Sequence, residues 1–409
     1  SSSSAAGSGS SGSGAATGQK VTIKVWHAQV DTAAKVFNEL VAKFEQAHPE
    51  ITVQAELGSP GDEMVQKLQS TLQGNDYPDI AYVYGSDVPN VAQSSKVADI
   101  TADVKALGFD WNDLYPAGRE TATVNGKIIG FPAVIDNLAV VYNKKILAAA
   151  GVPAPTSPWT WDQFRALALK LTDASKGQWG TGWPVSGSED TVWRFWPLIW
   201  QQGGDVLDSS MKKATFAGPE GVKALTLIAD MATKDRSLYA DTSADTQKMY
   251  GLFNAGKMGL AITGPWQLPD IQDHKIDYGV VDLPAFAGSA ETISGPDDYV
   301  VFDHGDARRR AAATFLAWLH EPEQDLAWAV GTGNLPLRVA TTKLPGFPKF
   351  AATFPGIDVF TQNLANAKHI RPQTPAYTAI STAVGKAIAA ALLGRATPEA
   401  ALGDAAKTA

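Results

Sequence analysis

Alternation of apolar and polar residues opens the folded part of this chain. Val21, Ile23 and Val25 alternate with Thr22 and Lys24, the period of a half-buried strand. The period then lengthens. Ala33, Val36, Phe37, Leu40, Val41 and Phe44 recur at three- and four-residue spacing, and His48-Pro49 ends that helix. Residues 51–57 predict a second strand. Met64, Leu68 and Leu72 predict a second helix closed by Gly74, and residues 79–84 a third strand. Strand, helix, strand, helix, strand predicts a parallel sheet with right-handed crossovers. Ligands of such sheets sit beyond the carboxyl ends of the strands. Those ends carry Trp26-His27 and Tyr84-Gly85-Ser86-Asp87.

Residues 125–145 interrupt this pattern. Asn125-Gly126 predicts a tight turn, and Phe131-Pro132 cannot continue a central strand. A further apolar strand, 138–142, leads to a helix capped by Asn143. Asp136-Asn137 lie between, as an exposed-looking polar pair. The stretch reads as a crossing between two lobes, with Gly264-Pro265-Trp266 and residues 331–337 as return crossings. Thr160-Trp161-Asp162-Gln163 has capping-box spacing. Helices are predicted near 219–233, 245–254, 306–320, 322–330 and 377–393, and strands at 258–263, 278–283 and 299–302. No fixed-period repeat occurs.

Composition narrows the function classes. A length of 409 residues predicts two domains. The net charge of −8 argues against a nucleic-acid partner and against an anionic membrane surface. The lack of cysteine excludes thiol nucleophiles and thiolate metal sites. No apolar run reaches the length of a membrane span. Residues 1–18 are a flexible Ser/Gly tether, and composition fits a natural spacer and an added linker equally.

Catalytic signatures are thin. Residues 251–258 resemble a phosphate-binding loop, but Met258 replaces the magnesium-binding hydroxyl, and a helix ends where one should begin. The six histidines lack metal spacing, and no nucleophile elbow is present. Glu189-Asp190 and Asp297-Asp298 read by default as solvated loops. No cofactor or metal is expected. The twelve tryptophans carry more information. Most must be core, but Trp193, Trp196 and Trp266 stand beside Arg, Pro or Gly in breaker-rich segments. Flat aromatic faces near polar hydrogen-bonders suit sugar rings.

Several blocks, in order along nearly the whole chain after the tether, resemble the extracellular solute-binding proteins of ABC sugar importers, the maltose-binding-protein family. They are residues 20–53, Pro78-Asp79-Ile80, residues 125–145, Thr160-Trp161-Asp162-Gln163, residues 253–266, 315–319 and 394–401. The resemblance implies an α/β, two-lobed periplasmic-binding-protein fold of type II. Each lobe is a mostly parallel sheet flanked by helices, with a hinge between lobes. The expected division is residues 19–131 plus 265–330 for the first lobe and 132–264 plus 331–409 for the second.

Carried over by position, the resemblance implies ligand contacts from His27, Gln29, Tyr84, Asp87, Asp136, Trp193, Trp196, Trp266 and Tyr377. Asn137 joins them as the neighbour of Asp136, and Asp297 and Arg371 are added from polar loops near crossovers. His27 and Gln29 depart from the polar and charged ligands of maltose binders. The implied function is non-enzymatic: capture of a di- to tetrasaccharide and delivery to membrane permease subunits, by a monomer held at the cell surface through a lipid anchor. The alternatives are a secreted glycan-active hydrolase and a binding protein for a polyol or glycerophosphodiester.

Overall fold

The computed structural model describes residues 19–59 and 63–409; the expected tether, 1–18, lies outside them. Two sheets organise the chain. The first has five strands in the order β2-β1-β3-β12-β6: Ile51–Leu57, Val21–His27, Ile80–Val83, Asp297–Val301 and Gly130–Val134. β1 pairs in parallel with β2 and β3, whereas β12 runs antiparallel to both β3 and β6. Four strands therefore share one direction and β12 opposes them. A short hairpin, β4 (Thr123–Val124) and β5 (Lys127–Ile128), turns at Asn125-Gly126.

The second sheet is built on β7 (Ala139–Asn143), flanked on either side by β10 (Leu260–Thr263) and β11 (Tyr278–Val281), both antiparallel to it. A parallel pair, β8 (Thr181–Pro184) and β9 (Leu238–Asp241), continues beyond β10. A parallel bridge between Trp179 and Met258 makes the join, with Leu260 N donating to Gly180 O at 2.8 Å. The pattern of the first sheet recurs: one reversed strand, β7, stands second from the edge.

Each sheet is covered by helices whose apolar stripes were visible in the sequence. Asp31–Ala47 buries Phe37, Leu40, Val41 and Phe44. Those side chains pack with Ile23 and Val25 of β1 and with Phe315 and Trp328 from the later helices Asp306–Leu319 and Pro322–Thr332. The second lobe has the larger aromatic core, in which Trp159, Trp161, Trp183, Trp196 and Trp200 share one buried cluster with Val140 and Ile262. Its helices start where local chemistry predicts. Asn143 accepts from Lys145 N and Ile146 N, and Thr160 and Gln163 form a complete capping box before Trp161–Leu171.

The crossings differ in part from expectation. Residues 135–138 join β6 to β7 and form the first. The second is residues 282–296, between β11 and β12, not Gly264-Pro265-Trp266. That turn connects β10 with a strand of the same sheet, so a boundary at 264/265 falls inside the second lobe. Gly264 is required there because the Trp266 ring folds back over it; a Cβ would lie 1.9 Å from the ring. Residues 333–337 follow the helix Pro322–Thr332 and carry Leu335 and Leu337 into a core shared with Val141 and Phe360, as a return crossing should. The two strand crossings are fastened together. Leu138 N donates to Thr292 Oγ1 at 3.2 Å, and Thr292 Oγ1 donates to Leu138 O at 2.7 Å.

Candidate functional site

A cavity of about 540 Å³ opens between the lobes. The first lobe contributes the exit of β3, with Tyr84, Ser86 and Asp87, together with Gln66 and Asp297. The second contributes Glu189, Tyr377, Ser381 and Thr382, and Arg371 reaches in from the segment before the helix Tyr377–Leu392. β3 delivers its polar residues here because all four of its strand residues are buried and the chain emerges only after Val83. Gly85 lets it pass under the second crossing, where a Cβ would meet Pro296 O at 2.2 Å.

Carboxyl groups dominate the centre. Asp297 accepts from Tyr82 Oη at 2.5 Å and from Gly85 N at 2.9 Å, yet burial still raises its pKa. Asp298 is wholly buried, and neither of its oxygens has a hydrogen-bond partner. Burial, reinforced by Asp297, raises its pKa well above the carboxylate range. Asp136 Oδ1 accepts from Gly295 N at 2.9 Å, tying one crossing to the other. Burial pushes it up to about 7. Glu189 accepts from Tyr377 Oη and Ser381 Oγ, both at 2.5 Å, and lies 3.4 Å from Arg371 Nη1.

The aromatic face lies on the second lobe. Trp266 is 42% exposed, unusual for an indole, and leans on Trp193 with ring centroids 5.8 Å apart. Its Nε1 lies 3.4 Å from Tyr250 Oη. Tyr250 Oη accepts from Arg194, whose fully buried guanidinium also donates to Ile262 O and pairs with Asp190. The exposed ring thus stands on a rigid base.

The remaining sequence candidates divide. Tyr84, Asp87, Asp297, Arg371 and Tyr377 converge on the cavity. Asn137 does not face it. Successive residues of extended chain point to opposite sides, and Asn137 is buried, donating to Phe360 O at 2.8 Å and accepting from Asn363 Nδ2 at 2.8 Å. Trp196 is also core: it is fully buried, with Nε1 donating to Tyr377 Oη at 2.9 Å. His27 is buried against Phe37 at 5.0 Å, and its Nδ1 accepts from Gln29 N. Burial lowers its pKa. Gln29 sits beside the Tyr299 hydroxyl. Neither His27 nor Gln29 lines the cavity. Glu189 reads in the sequence only as part of an adjacent acidic pair. Its role depends on Tyr377 and Ser381, about 190 residues away, and no local signal reveals it.

Among the described residues no group of three or more His, Asp or Glu is arranged to hold a metal ion, and no helix is long and apolar enough to cross a membrane. The look-alike phosphate loop is the end of the helix Gln247–Asn254 running into β10.

Comparison with known proteins places this geometry. The chain is similar to the cyclic α-maltosyl-1,6-maltose binding protein of Arthrobacter globiformis, with a TM-score of 0.85 and 28% identity over 95% of this chain and 97% of that one. The fold also matches the Mycobacterium tuberculosis protein solved with glycerophosphocholine, with a TM-score of 0.81 at 19% identity over 95% of this chain and 97% of that one. In sequence, a binding protein of Brucella abortus (strain 2308) is 25% identical over 378 residues, 90% of this chain and 88% of that one. The sn-glycerol-3-phosphate-binding periplasmic protein of Yersinia pseudotuberculosis is 24% identical over 408 residues, 94% of this chain and 90% of that one. Residues 29–325 match the bacterial extracellular solute-binding proteins as a family, and the chain belongs to that family.

Proposed function

We propose that the protein is the receptor of an ABC importer, that it captures an uncharged oligosaccharide of two to four units between its lobes, and that it delivers the sugar to membrane permease subunits. The observation that carries this reading is the exposed Trp266, braced by Trp193, whose ring approaches Gly295 where Arg371 also reaches, near a cavity lined by carboxyls, hydroxyls, an amide and that one guanidinium. An indole face covers the C–H side of a pyranose, and carboxylates accept from its hydroxyls. Hinge closure around the sugar follows if the ligand touches both lobes and binds the closed arrangement better.

A glycerophosphodiester is the competing ligand, as the names of some relatives suggest. A phosphate needs an available cation. Arg194 is buried and paired with Asp190, and Arg371 is shared with Glu189. The balance of charge therefore favours a neutral sugar. Calorimetric titration with a panel of di- to tetrasaccharides and with glycerophosphocholine decides between them. Sugar binding alone supports the proposal, and binding of the phosphodiester alone rejects it. Reducing-end assays on bound oligosaccharide should show no turnover. A lipid anchor at the cell surface and a monomeric state complete the reading. Absence of covalently attached lipid from the protein isolated from its source, by mass spectrometry, rejects the anchor.

A further inference from the structure

Thr246 holds a backbone conformation unsuited to its side chain. Its φ is +58° and its ψ +27°, directly after Asp245 at +54° and +27°. Among the described residues it is the one β-branched side chain at positive φ, where a branched Cβ crowds the backbone. Strain of this kind persists only where the surroundings hold it. Helix capping does not account for it. Thr246 precedes the helix Gln247–Asn254, but its hydroxyl caps nothing there. The first amides of that helix are met from elsewhere: Lys248 N donates to Ser243 Oγ at 3.1 Å and Met249 N to Asp241 Oδ2 at 2.8 Å. The Thr246 side chain is buried, and its hydroxyl donates to Asp190 Oδ2.

Asp190 is where the supports of the exposed indole meet. Its other oxygen, Oδ1, pairs with Arg194. Asp190, Trp193 and Arg194 stand three and four residues apart along the helix Glu189–Trp193 and its end, hence on one face. Arg194 donates onward to Tyr250 Oη at 2.7 Å, and Trp266 Nε1 lies 3.4 Å from that oxygen. Trp193 supports the Trp266 ring directly. Both supports therefore trace back to one carboxylate, held on one oxygen by Arg194 and on the other by Thr246. A carboxylate held on one oxygen only can turn about its last bond, and the guanidinium tied to it turns as well.

We propose that Thr246 is a positioning residue for sugar capture: its hydroxyl fixes Asp190, so that Arg194, Tyr250 and Trp193 hold the Trp266 ring in the orientation that receives the sugar. The proposal rests on the receptor reading above. Thr246 does not touch the ligand cavity, and it acts only through the residues it orients. The strained backbone is then retained for the hydroxyl it aims at Asp190, not for the helix that follows it.

The test is a double-mutant cycle on the full chain. It is read by calorimetric titration with the di- to tetrasaccharide that binds wild type most tightly, alongside denaturant unfolding. Thr246→Gly adopts the left-handed backbone freely and lacks the hydroxyl. Its unfolding midpoint should stay close to that of wild type, because relieved strain offsets the lost hydrogen bond, while sugar affinity falls about five- to tenfold. Thr246→Ser keeps the hydroxyl and should restore the affinity. Tyr250→Phe removes the oxygen between Arg194 and Trp266 and should weaken binding in the same way. Both losses should shrink in a Trp266→Ala background, since the ring they position is gone. Wild-type affinity in Thr246→Gly, an undiminished loss in the Trp266→Ala background, or failure of Thr246→Gly to fold each overturns the proposal and leaves the receptor reading intact. No saccharide binding by wild type overturns both.

Discussion

The two lobes solve the same sheet problem and then present different chemistry to the space between them. In each, four strands share a direction and the strand second from the edge is reversed. The first lobe faces the cavity with the exit of β3 and the start of β12, so it offers Tyr84, Asp87 and Asp297, all polar. The second faces it with helix starts, so it offers Glu189 and Tyr377, and it holds the exposed Trp266 ring at the turn after β10, outside the cavity lining. Strand exits place short polar side chains accurately, whereas a glycine-proline turn can hold a large ring in the open. The exposed ring is joined to the second-lobe core, since Trp266 rests on Trp193 and Trp193 belongs to that core.

The sharpest way to break this comparison is to remove an indole from each role. Trp196→Ala should cost about 3–5 kcal/mol of stability, read by denaturant unfolding, because a fully buried ring leaves a cavity. Trp266→Ala should leave stability nearly unchanged and cost about 1–3 kcal/mol of sugar affinity, read by calorimetry. If Trp266→Ala unfolds the protein instead, its ring belongs to the core and the aromatic wall is misassigned. Between the lobes, Asn137→Ala should lose roughly 1–3 kcal/mol of stability, since Phe360 O and Asn363 Nδ2 each lose a buried partner. Thr160→Ala should cost about 1 kcal/mol, by removing the second-lobe capping box, with sugar binding intact.

Most of the architecture was legible because it rests on local periods. The alternation in β1 and the three- and four-residue spacing of Phe37, Leu40 and Phe44 are consequences of strand and helix geometry. The crossings were less legible. Gly264-Pro265-Trp266 breaks a strand as clearly as Phe131-Pro132 does, but breaking a strand does not determine which lobe the chain enters next. Trp193 and Trp196 are three residues apart with similar neighbours; both are buried in the second-lobe core, and only tertiary packing sets one against the exposed Trp266 and the other against Tyr377. Asp136 and Asn137 part company for a simpler reason, the alternation of extended chain. Glu189 could not be found locally at all, since its three partners, Arg371, Tyr377 and Ser381, lie near the far end of the sequence.

The reversed strands also order events during synthesis. β12 fills the gap between β3 and β6 in the first sheet, yet it emerges from the ribosome after every strand of the second sheet, β7 to β11. Until then β3 and β6 are separated by a missing neighbour, each with an unpaired edge open to the wrong partner. The second sheet is nested within this interval and is complete by Val281. The nascent first lobe must therefore wait, incomplete, for about 160 residues of chain. A chain ending anywhere between β6 and β12 would leave that lobe without its fifth strand, however complete the second sheet had become.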